Sequence, residues 1–106
     1  MSNLINVSDS DFESVVLKSA IPALVAFSAV KWCKPCMILH PILEDIASES
    51  NNQYLIAELD IDDEPNTTKQ FGVRSVPTII AFKDGKATGR LVGLQSKANI
   101  LKLINQ

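Results

Sequence analysis

Hydrophobic positions fall into short runs separated by polar or proline-marked breaks. Residues 4–7 form an apolar run and predict a first strand. Ser8-Asp9-Ser10-Asp11 reads as a capping box, with the Ser8 hydroxyl accepting from a backbone N–H and Asp11 reaching back to the cap. The helix after it places Phe12, Val15 and Val16 on one face, and Pro22 breaks it. Residues 23–27 are apolar without alternation, the mark of a strand covered on both faces as in a parallel sheet. A helical stretch follows Cys36 to about Ser50, and Pro41 inside it predicts a kink.

Residues 54–59 predict another mostly apolar strand. Asp62-Asp63-Glu64-Pro65 reads as a helix start, because acids complement the dipole and proline suits the first turn. That helix runs to about Phe71 and ends at Gly72. Residues 78–82 and 87–92 flank Asp84-Gly85, a hairpin signal. Ser96 caps a last helix through Ile104, with Ile100, Leu101, Leu103 and Ile104 as its apolar positions. The order β-α-β-α-β-α-β-β-α predicts an α/β fold. Strand–helix alternation gives a parallel core and the closing hairpin an antiparallel edge, so five strands form a mixed sheet flanked by four helices.

The 106 residues suit one compact domain, 1–106, and a chain of this size needs no covalent staple to fold. Nearly half the residues are apolar and the net charge is −2 without a basic block, so neither nucleic acid nor an anionic membrane is expected as partner. No segment could span a bilayer, and the first residues lack the basic start and apolar run of a secretory signal.

Cys33 and Cys36 are the two cysteines. A disulfide closing so short a loop removes only roughly 2 kcal/mol of chain entropy in the loop model, which makes the pair a poor staple. The spacing points to redox chemistry or to half of a metal site. The pair sits where a buried strand gives way to a helix. Orphan N–H groups and the positive dipole end at a helix N-terminus stabilise a thiolate at Cys33. An unperturbed thiol, with a pKa of about 8.5, would supply little nucleophile at neutral pH. Cys36 lies one turn on, within bonding reach. Cys33 is then the attacking thiolate and Cys36 the resolving thiol. His40 could share a face with both cysteines as a three-ligand zinc site, but a fourth ligand is not evident and a solvent-exposed histidine is expected instead. No metal is expected.

Trp32-Cys33-Lys34-Pro35-Cys36 resembles the active-site segment of the thioredoxin family, in which Gly-Pro usually separates the cysteines. Pro41 matches that family's kink proline. Val76-Pro77-Thr78 matches the segment whose proline is cis and faces the disulfide. Phe82-Lys83-Asp84-Gly85 matches its hairpin turn, and Val92-Gly93 the glycine beside the substrate groove. The resemblance covers nearly the whole chain in the right order; a glutaredoxin resemblance is poorer, because no paired glycines follow Val76-Pro77.

The resemblance implies a thioredoxin-like fold and a cytoplasmic, monomeric protein disulfide reductase. Its substrates are protein disulfides, and a thioredoxin reductase-type electron donor recharges it. It uses no cofactor beyond the Cys33–Cys36 disulfide. Trp32, Lys34 and Pro35 tune the site, with Trp32 a partly exposed lid over the sulfurs. Val76, Pro77 and Gly93 line the groove. The alternatives are a specialised oxidant or isomerase with few substrates, and a non-catalytic module that binds a partner in the apolar groove.

The chain departs from the family at Lys34, at Ser28 where a second tryptophan is usual, at Met37, and by one extra residue before Trp32. The family's buried aspartate, thought to take the proton of the resolving cysteine, is replaced by Ala26, and no Asp or Glu occurs within residues 14–43. The usual lysine on the neighbouring strand is Glu58. Glu58 therefore either partly takes over the proton-acceptor role or reaches solvent at the end of the sheet.

Overall fold

The computed structural model describes residues 3–105. The elements are β1 (Ile5–Asn6), α1 (Glu13–Leu17), β2 (Ala23–Ser28), α2 (Lys34–Glu49), β3 (Leu55–Asp60), α3 (Pro65–Gln70), β4 (Thr78–Lys83), β5 (Lys86–Val92) and α4 (Lys97–Ile104). The strands form one mixed sheet in the order β1-β3-β2-β4-β5. β3 pairs parallel with both β1 and β2, while β4 pairs antiparallel with β2 and β5.

All six residues of β2 are buried, which explains its unbroken apolar run. Leu24 and Ala26 face a core completed by Leu39, Leu43 and Ile46 of α2 and Ile100 of α4. Val25 and Phe27 face the other way, toward Phe12, Val16 and Phe82. Each large side chain so covered contributes ~1.5–3 kcal/mol of transfer free energy. Alternation along β3 puts Glu58 on the same face as Ile56, directly opposite Ala26 in the β2–β3 register.

Three local expectations are corrected. The capping box forms only in half: Asp11 Oδ1 accepts from the Ser8 N–H at 2.7 Å, while Ser8 Oγ lies 3.0 Å from Ser10 Oγ. The helix after it is one wide π-type turn, closed by Lys18 N–H donating to Glu13 C=O at 3.0 Å. The acids before α3 do not cap it. Both oxygens of Asp9 do so, accepting from Asn66 N–H at 3.1 Å and Thr67 N–H at 2.8 Å, and Glu64 accepts from Asp9 N–H at 2.8 Å. Burial pushes the Asp9 carboxyl up, but the hydrogen bonds from Thr67 and Asn66 outweigh it and hold the group below its ordinary value.

Elsewhere the elements match the sequence within a residue or two. α2 runs uninterrupted through Pro41. Ser96 Oγ caps α4 by accepting from Asn99 N–H at 3.1 Å. Asp84 and Gly85 both have positive φ, 53° and 80°, as a two-residue hairpin turn requires.

Candidate active site

β2 delivers the chain to a tight turn, in which Cys33 N–H donates to Ala29 C=O at 2.8 Å. Cys33 then caps α2, with extended φ/ψ of −89° and 109°. Its sulfur takes the acceptor place of an N-cap side chain, 3.3 Å from the Cys36 N–H. Lys34 and Pro35 follow in the first turn, where a proline costs the helix no hydrogen bond. Cys33 and Cys36 are joined as a disulfide, with Cα atoms 5.2 Å apart.

The two sulfurs have different surroundings. Cys33 is 5% exposed and lies against Val76, its sulfur 3.8 Å from that residue's carbonyl oxygen. Cys36 is fully buried, and its sulfur accepts from Ala29 N–H at 3.4 Å. Cys33 is less open than its position at the helix start predicts, yet it alone of the pair retains surface.

Val76-Pro77 is a cis peptide, and Gly93 N–H donates to Pro77 C=O at 2.8 Å, which ties the β5 end to the segment facing the disulfide. Gly93 has φ +89°, and a Cβ there would meet no atom within 4 Å. Its glycine is required by backbone conformation, and the space it leaves is open. Gly93 is not the irregular position of the hairpin: the register shift lies near Ala81 and Phe82. Trp32 is 61% exposed, and its Nε1–H donates to Asp62 Oδ2 at 2.7 Å. With Met37, Ile38, Val92 and Leu94, Trp32 accounts for five of the exposed large apolar side chains. Lys34 is exposed at the helix start.

Glu58 is largely buried. It is 6% exposed, accepts from Ser28 Oγ at 3.2 Å, and lies 2.8 Å from His40 Nδ1. His40, expected to stand free in solvent, is instead turned onto this carboxylate, its side chain 40% exposed. Its other nitrogen is 3.6 Å from Glu44. Among the described residues, no cluster of three or more His, Cys, Asp or Glu is placed to hold a metal. None of the described helices is long and apolar enough to cross a membrane.

The structure sets Val76 against Cys33 and ties Gly93 to Pro77. Sequence alone does not reveal Asp62 as the partner of Trp32, or Ser28 and His40 as partners of Glu58. The i, i+4 spacing of Cys36 and His40 was a visible signal, but its meaning depends on the β2–β3 register, which places Glu58 beside that helix face.

The family model for thioredoxin matches residues 3–106. The chain belongs to the thioredoxin family. It is 43% identical to the thioredoxin of Rickettsia conorii over 101 residues, covering 95% of each chain. It is 41% identical to that of Haemophilus influenzae over 106 residues, covering 100% of this chain and 98% of the relative. It is 45% identical to that of Mycobacterium bovis over 101 residues, covering 95% and 86%. Together with the Cys33–Cys36 disulfide, this membership makes the chain a protein dithiol–disulfide oxidoreductase. Thioredoxins act on protein disulfides and are recharged by a reductase, so partners of both kinds follow from the family.

Proposed function

We propose that this thioredoxin-family protein works in the cytoplasm as a monomeric disulfide reductase. The whole chain, residues 1–106, acts as a single domain, and Cys33 and Cys36 carry the redox chemistry. In the dithiol form the Cys33 thiolate attacks one sulfur of a substrate disulfide. A Cys33–substrate bond forms, the substrate bond breaks, and one substrate thiolate leaves. Cys36 loses its proton and attacks Cys33, which forms the internal disulfide and releases the second substrate thiolate; both take up protons. Two electrons pass to the substrate, and a separate reductase returns them. No cofactor beyond the disulfide is involved.

The observation that carries the assignment of roles is the Cys36 N–H directed at the Cys33 sulfur, at 3.3 Å, on the one cysteine that keeps surface. A backbone donor at a helix start stabilises a thiolate there, whereas full burial disfavours one at Cys36. Lys34 adds a positive charge beside Cys33. Pro35 keeps the first turn in its helical course, and Trp32 covers the approach. Val76, Pro77 and Gly93 form the groove for an extended substrate, with backbone groups available for edge pairing. Alkylation of the reduced protein below neutral pH labels Cys33 and spares Cys36; preferential labelling of Cys36 overturns the assignment.

A further inference from the structure

Resting on that reading, the resolving step poses a problem of its own. Cys36 is fully buried and must lose a proton before it can attack. The carboxylate that the family resemblance places on β2 is absent, because position 26 is alanine. The β2–β3 register sets Glu58 opposite Ala26 on the same face of the sheet, so the site keeps a buried carboxylate, moved one strand over.

Adjacent residues of β2 and the turn after it contact this carboxylate and the sulfur. Ser28 Oγ donates to Glu58 Oε2 at 3.2 Å, and the N–H of the next residue, Ala29, donates to Cys36 Sγ at 3.4 Å. On the other side Glu58 Oε1 meets His40 Nδ1 at 2.8 Å, and His40 lies one helical turn after Cys36 on α2. Ser28 and Glu58 also line a cavity of about 340 Å³, wide enough for water.

We propose that Glu58 and His40 together form the proton-accepting pair for Cys36, with Ser28 orienting the carboxylate and the half-exposed imidazole passing the proton to solvent. In the accepting state Glu58 is ionised and His40 neutral. The proton leaving Cys36 Sγ settles on the pair as the Cys36–Cys33 bond forms. It then leaves from the His40 edge facing Glu44. The departing substrate thiolate takes its own proton from water.

Other charged groups face this unit. Asp60, Asp63 and Glu64 line the same cavity, and Lys31 pairs with Asp60 at 3.8 Å and Asp63 at 3.3 Å.

The test is single-turnover kinetics of the full chain, with formation and resolution of the Cys33 mixed disulfide followed separately over pH. Glu58→Gln keeps the side chain's shape and its acceptor oxygen, and His40→Gln removes the imidazole from a half-exposed position. General-base assistance contributes about 10²–10⁴-fold at its full extent. At neutral pH, Glu58→Gln is therefore expected to slow resolution by roughly 10–100-fold. His40→Gln is expected to slow it several-fold and remove one ionisation from its profile. Formation of the mixed disulfide stays within about twofold of wild type in both variants. Identical resolution profiles in all three proteins overturn the proposal, as does a wild-type profile in His40→Gln beside a slow Glu58→Gln. Failure of wild type to form a mixed disulfide at Cys33 overturns instead the reading on which the proposal rests.

Discussion

Replacing Gly93 by alanine separates backbone strain from substrate binding. The added methyl would meet no protein atom within 4 Å, so the stability cost comes from φ alone, +89°. Holding an L-residue in left-handed backbone costs about 1–2 kcal/mol. In a domain of this size that lowers Tm by roughly 5–12 °C. Under the proposed groove assignment, the open space that admits the methyl is where an extended substrate lies beside Val76 and Pro77. Losing one main-chain hydrogen bond to such a substrate, worth ~1 kcal/mol, reduces kcat/KM about fivefold. The assay compares reduction of a protein disulfide with reduction of a small disulfide such as oxidised glutathione. The protein substrate is expected to lose about fivefold and the small one to change by less than about twofold. Gly85→Ala is the control, because its Cβ would come within 3.2 Å of the Leu17 carbonyl oxygen at φ +80°, far from the disulfide. It is expected to cost more stability and leave both rates unchanged. Equal rates on the protein substrate for Gly93→Ala and wild type would refute the groove assignment.

The remaining predictions concern charge and packing. Because the Asp9 carboxyl is held low in the folded protein, its contribution is present above the ordinary aspartate value of 3.8 and lost as pH falls through the lowered one. Asp9→Asn is therefore expected to destabilise at neutral pH, with the deficit vanishing in acid, as read by denaturant midpoints at several pH values. Phe82 packs edge-on against Phe12 and Phe71 and is buried, so Phe82→Ala is expected to cost about 3–5 kcal/mol in urea unfolding. An ammonium near a thiolate contributes about 0.5 kcal/mol at water's dielectric. Lys34→Gly is thus expected to move the Cys33 alkylation profile up by a few tenths of a pH unit in low salt, a shift that vanishes in high salt.

The fold was legible because its strongest signals are local. The unbroken apolar run of β2 announced a strand covered on both faces, Asp84-Gly85 announced the hairpin, and Ser96 announced the last helix. The misreadings are long-range. Asp9 looks like part of the first helix's cap but serves α3, whose residues Asn66 and Thr67 come near only once β1 and β3 pair. A capping box predicts that a helix starts but not that the turn after it widens to a π pattern. At the site, the cysteine pair and its flanks were readable from spacing and family resemblance. The Glu58–His40 contact was not, because it depends on which face of β3 meets α2 and on the β2–β3 register that sets Glu58 opposite Ala26.

The most direct test of the central claim traps the reaction half-way. The Cys36→Ser protein, reduced and mixed with a protein disulfide, should accumulate a covalent complex. Peptide mapping should place its intermolecular bond at Cys33, and reductant should dissolve it. The Cys33→Ser protein should form none. A complex bonded through residue 36 in Cys33→Ser, or undiminished disulfide reduction when both cysteines are serine, would contradict the account.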